Sequence, residues 1–379
     1  MRGFRLTAVT LASSLLFSTS FACTDFRIVA KDGTQVIART LEFAMQFNSD
    51  VVSVPRGTAF SNTAPDGKPA MAWKSKYGYV MVDGLKQLFT VDGMNEQGLA
   101  FEYLYLPGFT QYQAVPVGKE GQAIPYFNFG DWVLGSFKTV DEVKQALGGV
   151  YIYGQTRPAL GSVIFPLHAA IHDAAGNGIV VEFVNGQIQV SDYIGIMTNS
   201  PTYQWHVTHL PQFTNLSPYN PKPVIANGVS YGANGTGAGM LGLPGDVSPS
   251  SRFVKMAYML QYSYQVDDAA AAVNLAEHII NTVDIPAGTT RTKDNGQESY
   301  ETTEWTLFKD LTHKVFYYHT YQDTTLHSID LTKIDFSEKA PQLVMHLSTT
   351  PTVIDDTDKF KASVPAPLTP ATPAPAAGA

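Results

Sequence analysis

The chain has 379 residues, of which 44% are hydrophobic and 15% are charged, and its formal net charge is −8. This composition describes a globular protein with room for a large core, and an acidic balance without a basic run argues against binding to nucleic acid or to an anionic membrane surface. The single cysteine, Cys23, excludes an internal disulfide framework and a cysteine-based zinc site.

The first 22 residues have the three parts of a signal peptide. Two arginines stand within the first five residues, and residues 6–17 form an apolar stretch that is too short to span a bilayer. Ser20 and Ala22 place small side chains at the −3 and −1 positions of a signal peptidase site. The pattern predicts cleavage after Ala22 and export to the periplasm or the extracellular space, with Cys23 as the first residue of the mature chain.

A cysteine at the start of a mature exported chain has two usual fates. The first is acylation of its thiol, which would make the protein a lipid-anchored periplasmic binding protein. That signal favours a Leu-like residue at −3 and a small residue at −2, whereas this chain has Ser20 and Phe21 there. The second fate is catalysis by a free N-terminal cysteine, which the residues before Cys23 fit better.

The predicted secondary structure runs from strands through helices and back to strands. Turn residues between apolar or alternating runs predict strands in four segments, residues 24–40, 87–106, 162–190 and 304–331. Their turns fall at residues 31–33, 95–98, 175–178 and 185–186. Apolar spacing of three and four residues predicts helices at residues 139–147, 249–263 and 267–283, the first with a capping box from Thr139 to Glu142. This order predicts an α+β domain with layered antiparallel sheets.

The chain is predicted to have three parts. Residues 1–22 form the signal peptide and residues 23–356 form one folded catalytic domain. Residues 357–379 form a Pro/Ala-rich tail that loses periodicity and is predicted to be disordered. No segment after the signal peptide is long and apolar enough to be transmembrane.

A free N-terminal cysteine carries a nucleophile and a base on one residue. Its thiol has a reference pKa of about 8.5 and its α-amine one of about 7.7–8.0, so part of the amine is neutral near pH 7 and accepts the thiol proton. The thiolate attacks an amide carbonyl and forms a thioester, which water then hydrolyses. Such a site needs a cation near the thiol, an acid near the amine and donors for the oxyanion.

Four residues offer groups of these kinds. Arg39 and Glu42 lie one predicted hairpin away from Cys23. Asn199 follows an apolar strand and carries an amide donor, and Arg252 stands near a helix start, where a cation opposes the helix dipole. By spacing alone, solvated strand ends and a turn explain the first three residues better than catalysis does.

Five stretches taken together resemble a known family. They are "CTDFRI", "ARTLEF", "DGMNEQGLAF", "TNSPTYQWH" and "GLPGDVSPSSRFVKMAY". In this order they resemble the choloylglycine hydrolase family, which contains bile salt hydrolases and penicillin V acylases. The resemblance runs from Cys23 to about Asp330. It implies an N-terminal nucleophile (Ntn) hydrolase, an αββα sandwich with two stacked antiparallel sheets.

The resemblance also implies a role for each site residue. Cys23 matches the leading cysteine, which is both nucleophile and base, and Arg39 matches the arginine beside its thiol. Glu42 stands where many members have Asp, at the contact with the α-amino group. Asn199 matches the asparagine whose side chain helps to form the oxyanion hole, and Arg252 matches the arginine after the "PGDVS" stretch.

Tyr105 stands where bile salt hydrolases usually carry Asn. It resembles the penicillin V acylases, in which the backbone N–H of that residue completes the oxyanion hole. The expected activity is therefore hydrolysis of the linear amide of a small amphipathic acyl amide, of the penicillin V acylase type. Acylases of N-acyl homoserine lactones and hydrolases of conjugated bile salts are the alternatives. No metal or organic cofactor is implied, and a homo-oligomer is expected because members are commonly homotetramers.

Two other patterns suggest sites but have simpler interpretations. Gly237, Gly239 and Gly242 fit a G-x-G-x-x-G pattern, but they do not lie between a strand and a helix of a βαβ unit, so a loop is predicted. His168 and His172 are four residues apart, a metal-ligand spacing on a helix. The segment is predicted to be a strand, so packed or surface histidines are expected.

Overall fold

Two stacked antiparallel sheets with helices on their outer faces form the body of the protein. A computed structural model describes residues 22–44, 46–157, 163–294 and 296–363 of the chain. Of the predicted signal peptide, only Ala22 lies within these ranges, so the signal peptide stays a prediction.

The described residues form the following strands and helices. In chain order the strands are β1 Cys23–Val29, β2 Gln35–Phe43, β3 Asp50–Val54, β4 Ala59–Phe60, β5 Trp73–Lys74, β6 Tyr79–Asp83, β7 Thr90–Asn95, β8 Ala100–Tyr105, β9 Ala123–Pro125, β10 Tyr151–Tyr153, β11 Leu167–His172, β12 Gly178–Val184, β13 Gln187–Asp192, β14 Ile196–Met197, β15 Val224–Ala226, β16 Val229–Tyr231, β17 Arg291–Asp294, β18 Gln297–Tyr300, β19 Thr302–Asp310, β20 Val315–Thr320, β21 His327–Asp330 and β22 Val344–His346. The α-helices are α1 Phe129–Ser136, α2 Val140–Ala146, α3 Tyr203–His209, α4 Pro249–Tyr262, α5 Ala269–Ile280 and α6 Thr357–Lys361.

The two large sheets are built mainly from neighbouring hairpins. The six-stranded sheet has the order β14-β1-β2-β19-β20-β21, and the eight-stranded sheet has the order β13-β12-β11-β8-β7-β6-β3-β22. The predicted hairpins β1–β2 and β7–β8, the three strands β11 to β13 and the three strands β19 to β21 are all paired. The predicted α+β class and the four predicted strand segments are therefore confirmed.

Helices cover the outer face of each sheet. α4 and α5 pack on β1 and β2 of the six-stranded sheet, and α1 packs on β7 and β8 of the eight-stranded sheet. The three predicted helices are confirmed as α2, α4 and α5. Thr139 caps α2 by accepting a hydrogen bond from the backbone N–H of Glu142. The Glu142 carboxylate accepts from the backbone N–H of Lys138, so only half of the predicted capping box forms.

Strand alternation decides which side chains lie between the sheets. Asp25 of β1 is paired with Arg39 of β2, and Cys23 shares their face, which lies against the eight-stranded sheet. The intervening Thr24 points to the helical layer, where its hydroxyl accepts from Arg252 of α4. β2 is buried along its whole length because helices cover one face and the second sheet covers the other.

The remaining predictions concern the periphery of the domain. Gly237 and Gly242 have positive φ values of 94° and 97° in an exposed loop after the β15–β16 hairpin, so the predicted loop is confirmed. Within the predicted tail, Thr357–Lys361 form the exposed helix α6, and residues 364–379 lie outside the described residues. In the described ranges, no helix is both long and apolar enough to cross a bilayer.

Candidate active site

The thiol-bearing Cys23 begins β1 and lies at one end of the interface between the sheets. Only 3% of its surface is exposed, and its backbone N–H belongs to an intact peptide bond with Ala22. Ala22 is also buried, and its carbonyl accepts a hydrogen bond from the backbone N–H of Glu42 at 2.9 Å. The Cys23 nitrogen is therefore an amide here, and the predicted cut after Ala22 would convert it to an α-amine.

A pocket adjoins Cys23, and we call it the acyl pocket. Arg39 and Glu42 line it beside the cysteine. Its other walls are apolar or aromatic and comprise Leu41, Phe43, Phe47, Phe89, Val91, Tyr103, Tyr105, Phe165 and Leu167. A lining of this kind binds an apolar group, while a few polar groups fix its orientation.

Asn199 joins three of the predicted site residues through its side-chain amide. Oδ1 accepts from the backbone N–H of Cys23 at 2.6 Å and from Nη2 of Arg252 at 2.8 Å. Nδ2 donates to the carbonyl of Tyr105 at 2.9 Å. The buried His206 holds the backbone of Asn199, because its Nε2 lies 2.9 Å from the Asn199 carbonyl oxygen. One side chain thus connects the start of β1, the first turn of α4 and the end of β8.

Arg252 is fully buried against the backbone of β1. Its Nη1 donates to the carbonyl of Cys23 and, at 2.8 Å, to Oγ1 of Thr24. Its Nε donates to the carbonyl of Val247 at 2.8 Å. With Nη2 on Asn199, every nitrogen of the guanidinium is used, so Arg252 fixes the position of the cysteine and of the asparagine amide.

Arg39 lies in the wall of the acyl pocket and has no exposed surface. Nη2 donates to the carbonyl of Tyr103 at 2.5 Å, and Nη1 lies 3.4 Å from Oδ2 of Asp92. The guanidinium carbon lies 4.6 Å from the centre of the Trp305 ring. Burial raises the pKa of the Cys23 thiol, and the charge of Arg39 opposes that rise. Arg39 is therefore placed to favour the thiolate, the role that the resemblance implies.

Glu42 is buried beside the same pocket. Oε1 accepts from the hydroxyl of Thr303 at 3.0 Å, and Oε2 has no hydrogen-bond partner within the described chain. Burial raises the pKa of the Glu42 carboxyl to about 8, and the charge of Arg252 opposes this rise. The predicted contact with the Cys23 nitrogen does not form in the uncut chain, where that nitrogen donates to Asn199. The positive charge that would attract Glu42 does not exist before the cut.

Tyr105 ends β8 and lines the acyl pocket. The N–H of the next residue, Leu106, donates to the carbonyl of Pro166, on the β11 side of β8. Because successive N–H groups along a strand point to opposite sides, the N–H of Tyr105 points away from β11. It therefore lies outside the β8–β11 ladder, and its role at the oxyanion stays a prediction.

Sequence reasoning missed the residues that hold the predicted ones. They are Asp92 and Trp305 beside Arg39, Thr303 beside Glu42, and His206 beside Asn199. Asp92 and His206 lie inside two of the quoted motifs, so the motifs contained a signal for them. Thr303 and Trp305 lie in β19, and no local pattern connects that strand with the site.

A second polar cluster lies between the same two sheets. Within the part of the chain that the structure describes, Asp25, Glu102 and His172 form a group whose ligand atoms lie within 4.8 Å of one another, close enough to hold a metal ion. His168 and His172 both lie buried in strand β11, so the predicted strand is confirmed. The sequence did not predict the cluster, because its three members come from three different strands.

Comparisons with known proteins agree with this geometry. Residues 23–345 match a family model described as linear amide C–N hydrolases, choloylglycine hydrolase family. A bile salt hydrolase/transferase of Clostridium perfringens is 33% identical over 323 residues, which cover 82% of this chain and 93% of that relative. A penicillin V acylase of Pectobacterium atrosepticum is 30% identical over 212 residues, which cover 54% of each chain.

The fold is also similar to a solved structure. A variant of the conjugated bile acid hydrolase from Clostridium perfringens superposes with a TM-score of 0.77 at 29% identity, covering 88% of this chain and 99% of that chain. Together with the two stacked sheets and their outer helices, this similarity confirms the predicted αββα sandwich of the Ntn hydrolases.

Proposed function

Because the chain belongs to the choloylglycine hydrolase family of linear amide C–N hydrolases, we propose that it hydrolyses small amphipathic acyl amides with Cys23 as its nucleophile. The observation that carries the proposal is the setting of Cys23. Its nitrogen contacts Asn199, its carbonyl contacts Arg252, and its side chain lies beside an apolar pocket.

The proposed catalyst requires a cut between Ala22 and Cys23. Both residues are buried in the folded chain, so we propose that the cut is made before this part of the domain folds. The match to the family model begins at residue 23, which supports this boundary. We therefore propose export to the periplasm or the extracellular space, with the export cut also releasing the catalytic α-amine.

The groups around Cys23 suit the first half of the reaction, in which the acyl group of the substrate is transferred to the cysteine sulfur. The neutral α-amine takes the thiol proton, and the charge of Arg39 favours the thiolate that results. The sulfur attacks the amide carbon, and the carbonyl oxygen becomes an oxyanion. We assign the second N–H of Asn199 Nδ2 and the backbone N–H of Tyr105 as its donors. The new ammonium charge of Cys23 also favours the ionised form of Glu42.

Collapse of the tetrahedral intermediate completes the first half of the reaction. The C–N bond breaks, the leaving amine takes a proton from the α-ammonium, and the acyl group stays on sulfur as a thioester. In the second half, the α-amine takes a proton from water, and the hydroxide attacks the thioester carbon. The carboxylic acid leaves, and the thiol regains its proton.

The acyl pocket supports an apolar acyl group, and its aromatic walls favour an aromatic one. The phenoxyacetyl group of penicillin V is such a group, so we propose penicillin V acylase-like activity. A second candidate is hydrolysis of conjugated bile salts. It is favoured by the bile salt hydrolase/transferase that aligns over 93% of its own length. Long-chain N-acyl homoserine lactones fit the same pocket chemistry.

A hydrolysis panel tests the proposal. The mature chain beginning at Cys23 is assayed with penicillin V, glycine- and taurine-conjugated bile salts, and N-acyl homoserine lactones of several lengths. We expect the highest kcat/KM for penicillin V and no turnover by Cys23→Ala, whose melting temperature should match that of the parent. A higher kcat/KM for a bile salt would establish the second candidate. A folded mature chain that hydrolyses none of these amides would contradict both.

We also propose that the enzyme is a homo-oligomer. The β15–β16 hairpin exposes Val224, Ile225 and Val229, with 52–75% of each residue accessible, and such an apolar hairpin supports contact between copies. Light scattering coupled to size exclusion tests this, and a monomer at micromolar concentration would contradict it.

A further inference from the structure

Six ionisable side chains fill the sheet interface behind the acyl pocket, and we call them the inter-sheet charge layer. The six-stranded sheet contributes Asp25, Arg39 and Lys309, and the eight-stranded sheet contributes Asp92, Glu102 and His172. None of the six has any exposed surface. Ionised groups in such a place are costly unless each has a partner of opposite charge.

One half of the layer is fully paired. Asp92 lies between two cations, with Oδ1 at 2.7 Å from Nζ of Lys309 and Oδ2 at 3.4 Å from Nη1 of Arg39. Lys309 also lies 2.7 Å from Oε1 of Glu102. Both permanent cations of the layer, Arg39 and Lys309, therefore contact Asp92, and Lys309 also contacts one oxygen of Glu102.

The other half of the layer is not paired. By strict geometry, no hydrogen bond forms to either oxygen of Asp25, to either ring nitrogen of His172 or to Oε2 of Glu102 within the described residues. The Asp25 carboxyl nevertheless interacts with the Glu102 carboxyl and with the Tyr193 hydroxyl, and both interactions oppose the rise of its pKa that burial causes. Nε2 of His172 lies 3.6 Å from Oδ2 of Asp25 and 3.9 Å from Oε2 of Glu102. These distances are too long for hydrogen bonds, yet one ligand atom from each residue lies within 4.8 Å of the other two.

We propose that Asp25, Glu102 and His172 bind a divalent transition-metal ion between the two sheets. Nε2 of His172 lies 3.6 and 3.9 Å from the two carboxylate oxygens, and the ligand atoms all lie within 4.8 Å of one another. A point equidistant from the three therefore lies about 2.0–2.4 Å from each, a range that includes the bond lengths of Zn²⁺ with imidazole nitrogen and carboxylate oxygen. One imidazole and two carboxylates suit Zn²⁺ or Mn²⁺, whereas the all-oxygen sets of Ca²⁺ and Mg²⁺ do not include an imidazole.

The electrostatics of the layer support a bound cation. Three carboxylates face only two permanent cations, so the layer lacks positive charge. Burial raises the pKa of Asp25, and burial together with the charge of Asp25 raises that of Glu102 to about 7. The neutral form of the His172 imidazole would supply the nitrogen ligand. A metal ion would stabilise both carboxylates in their ionised form. The charge of Lys309 is balanced by Asp92, and its Nζ contacts Oε1 of Glu102. The other oxygen, Oε2, is therefore left for the metal ion.

A different occupant would supply a single positive charge instead of two, namely a proton shared between Asp25 and Glu102. The two occupants are distinguished by the metal content of the purified mature enzyme, measured by plasma mass spectrometry after purification without a chelating resin. We expect about one Zn²⁺ or Mn²⁺ per chain. Treatment with 1,10-phenanthroline should remove the metal and lower the melting temperature, and ZnCl₂ or MnCl₂ should restore it.

Variants locate the site. Asp25→Asn and His172→Gln should each reduce the metal content by at least tenfold. The matched control is His168→Gln, because His168 is equally buried in the same strand but pairs with Glu182 at 3.1 Å. It should keep the metal. If the ligand variants do not fold, Co²⁺ is loaded into the metal-free parent, and visible absorption bands of nitrogen and oxygen coordination are expected.

Three results would overturn the proposal. They are a metal-free parent whose melting temperature does not respond to Zn²⁺ or Mn²⁺, full metal content in both ligand variants, and no Co²⁺ absorption bands. None of these measurements depends on amidase activity, so the metal site and the proposed reaction fail or stand separately.

Discussion

The replacement of Asn199 by Ala tests the centre of the proposed site. This substitution removes three hydrogen bonds at once, to the nitrogen of Cys23 at 2.6 Å, to Nη2 of Arg252 at 2.8 Å and to the carbonyl of Tyr105 at 2.9 Å. All three partner groups lie in the buried site, so water does not readily replace the lost amide.

The expected loss of stability follows from the kinds of hydrogen bond that Asn199 makes with its three partners. A neutral hydrogen bond contributes about 1 kcal/mol net and one to a charged group about 1.5–3 kcal/mol, so Asn199→Ala should lower the free energy of unfolding by about 3–5 kcal/mol. Loss of one oxyanion donor should lower kcat by about 10²–10³. Asn199→Asp keeps both acceptor contacts but has no N–H. It should therefore lower kcat as much as Ala while destabilising the protein less.

The assay combines urea denaturation with steady-state kinetics at a temperature where every variant is folded. Asn95 provides a matched control, because its buried amide donates to the carbonyls of Leu134 and Phe137 at 2.8 and 2.7 Å, at the opposite end of β7. Asn95→Ala should destabilise the protein with kcat unchanged. A kcat for Asn199→Ala within tenfold of the parent, or full activity of Asn199→Asp, would refute the assignment of the oxyanion donor.

Three further predictions concern the other site residues. A chain that begins at Ala22 keeps the Ala22–Cys23 bond, so its cysteine nitrogen is an amide and not a base. This chain should fold, but its turnover rate should be under about 1% of that of the mature chain. Full activity, measured on chains shown to be intact, would contradict the role of the α-amine. In that same chain the pKa of Glu42 rises from 4.5 to about 8 on folding, so the folded state holds an extra proton between these values and the free energy of unfolding should fall as pH rises through this window, by roughly 4 kcal/mol. Glu42→Gln should flatten the slope in urea titrations from pH 4.5 to 8.5, and an unchanged slope would show that another group titrates. Arg39→Met should raise the thiol pKa and lower kcat by about 10–10² with a smaller change in KM, and should shift the pH profile to higher pH; a change confined to KM would place Arg39 in binding instead.

Local patterns were sufficient for much of the secondary structure. The hairpin turns, the strands around them and helices α2, α4 and α5 follow from turn residues and apolar spacing over short segments. The helices α1 and α3 were not predicted, because both are about two turns long and carry few periodic residues. The order of the strands within the sheets was also not predicted from turns and spacing, since β2 pairs with the distant β19, and no local signal specifies that pairing.

The motifs predicted the site residues, but not the contacts between them. Asn199 contacts a residue 176 positions away, and Glu42 contacts Thr303 across 261 positions. The sequence also predicted a contact between Glu42 and the cysteine nitrogen. The uncut chain uses Asn199 for that nitrogen, because the charge that would attract a carboxylate appears only after cleavage.

The sequence by itself determined the chemistry that one residue can perform. If the predicted cut after Ala22 is made, Cys23 supplies both thiol and amine, and this depends only on covalent order along the chain. The tertiary structure decided everything that depends on burial and on long-range pairing. Stacking of the two sheets raised the pKa of Glu42 and of the thiol by excluding water, and the strand register gathered six ionisable side chains into one dry layer. Neither effect is present in any local stretch, because solvent exclusion and cross-sheet distances exist only once distant strands have packed together.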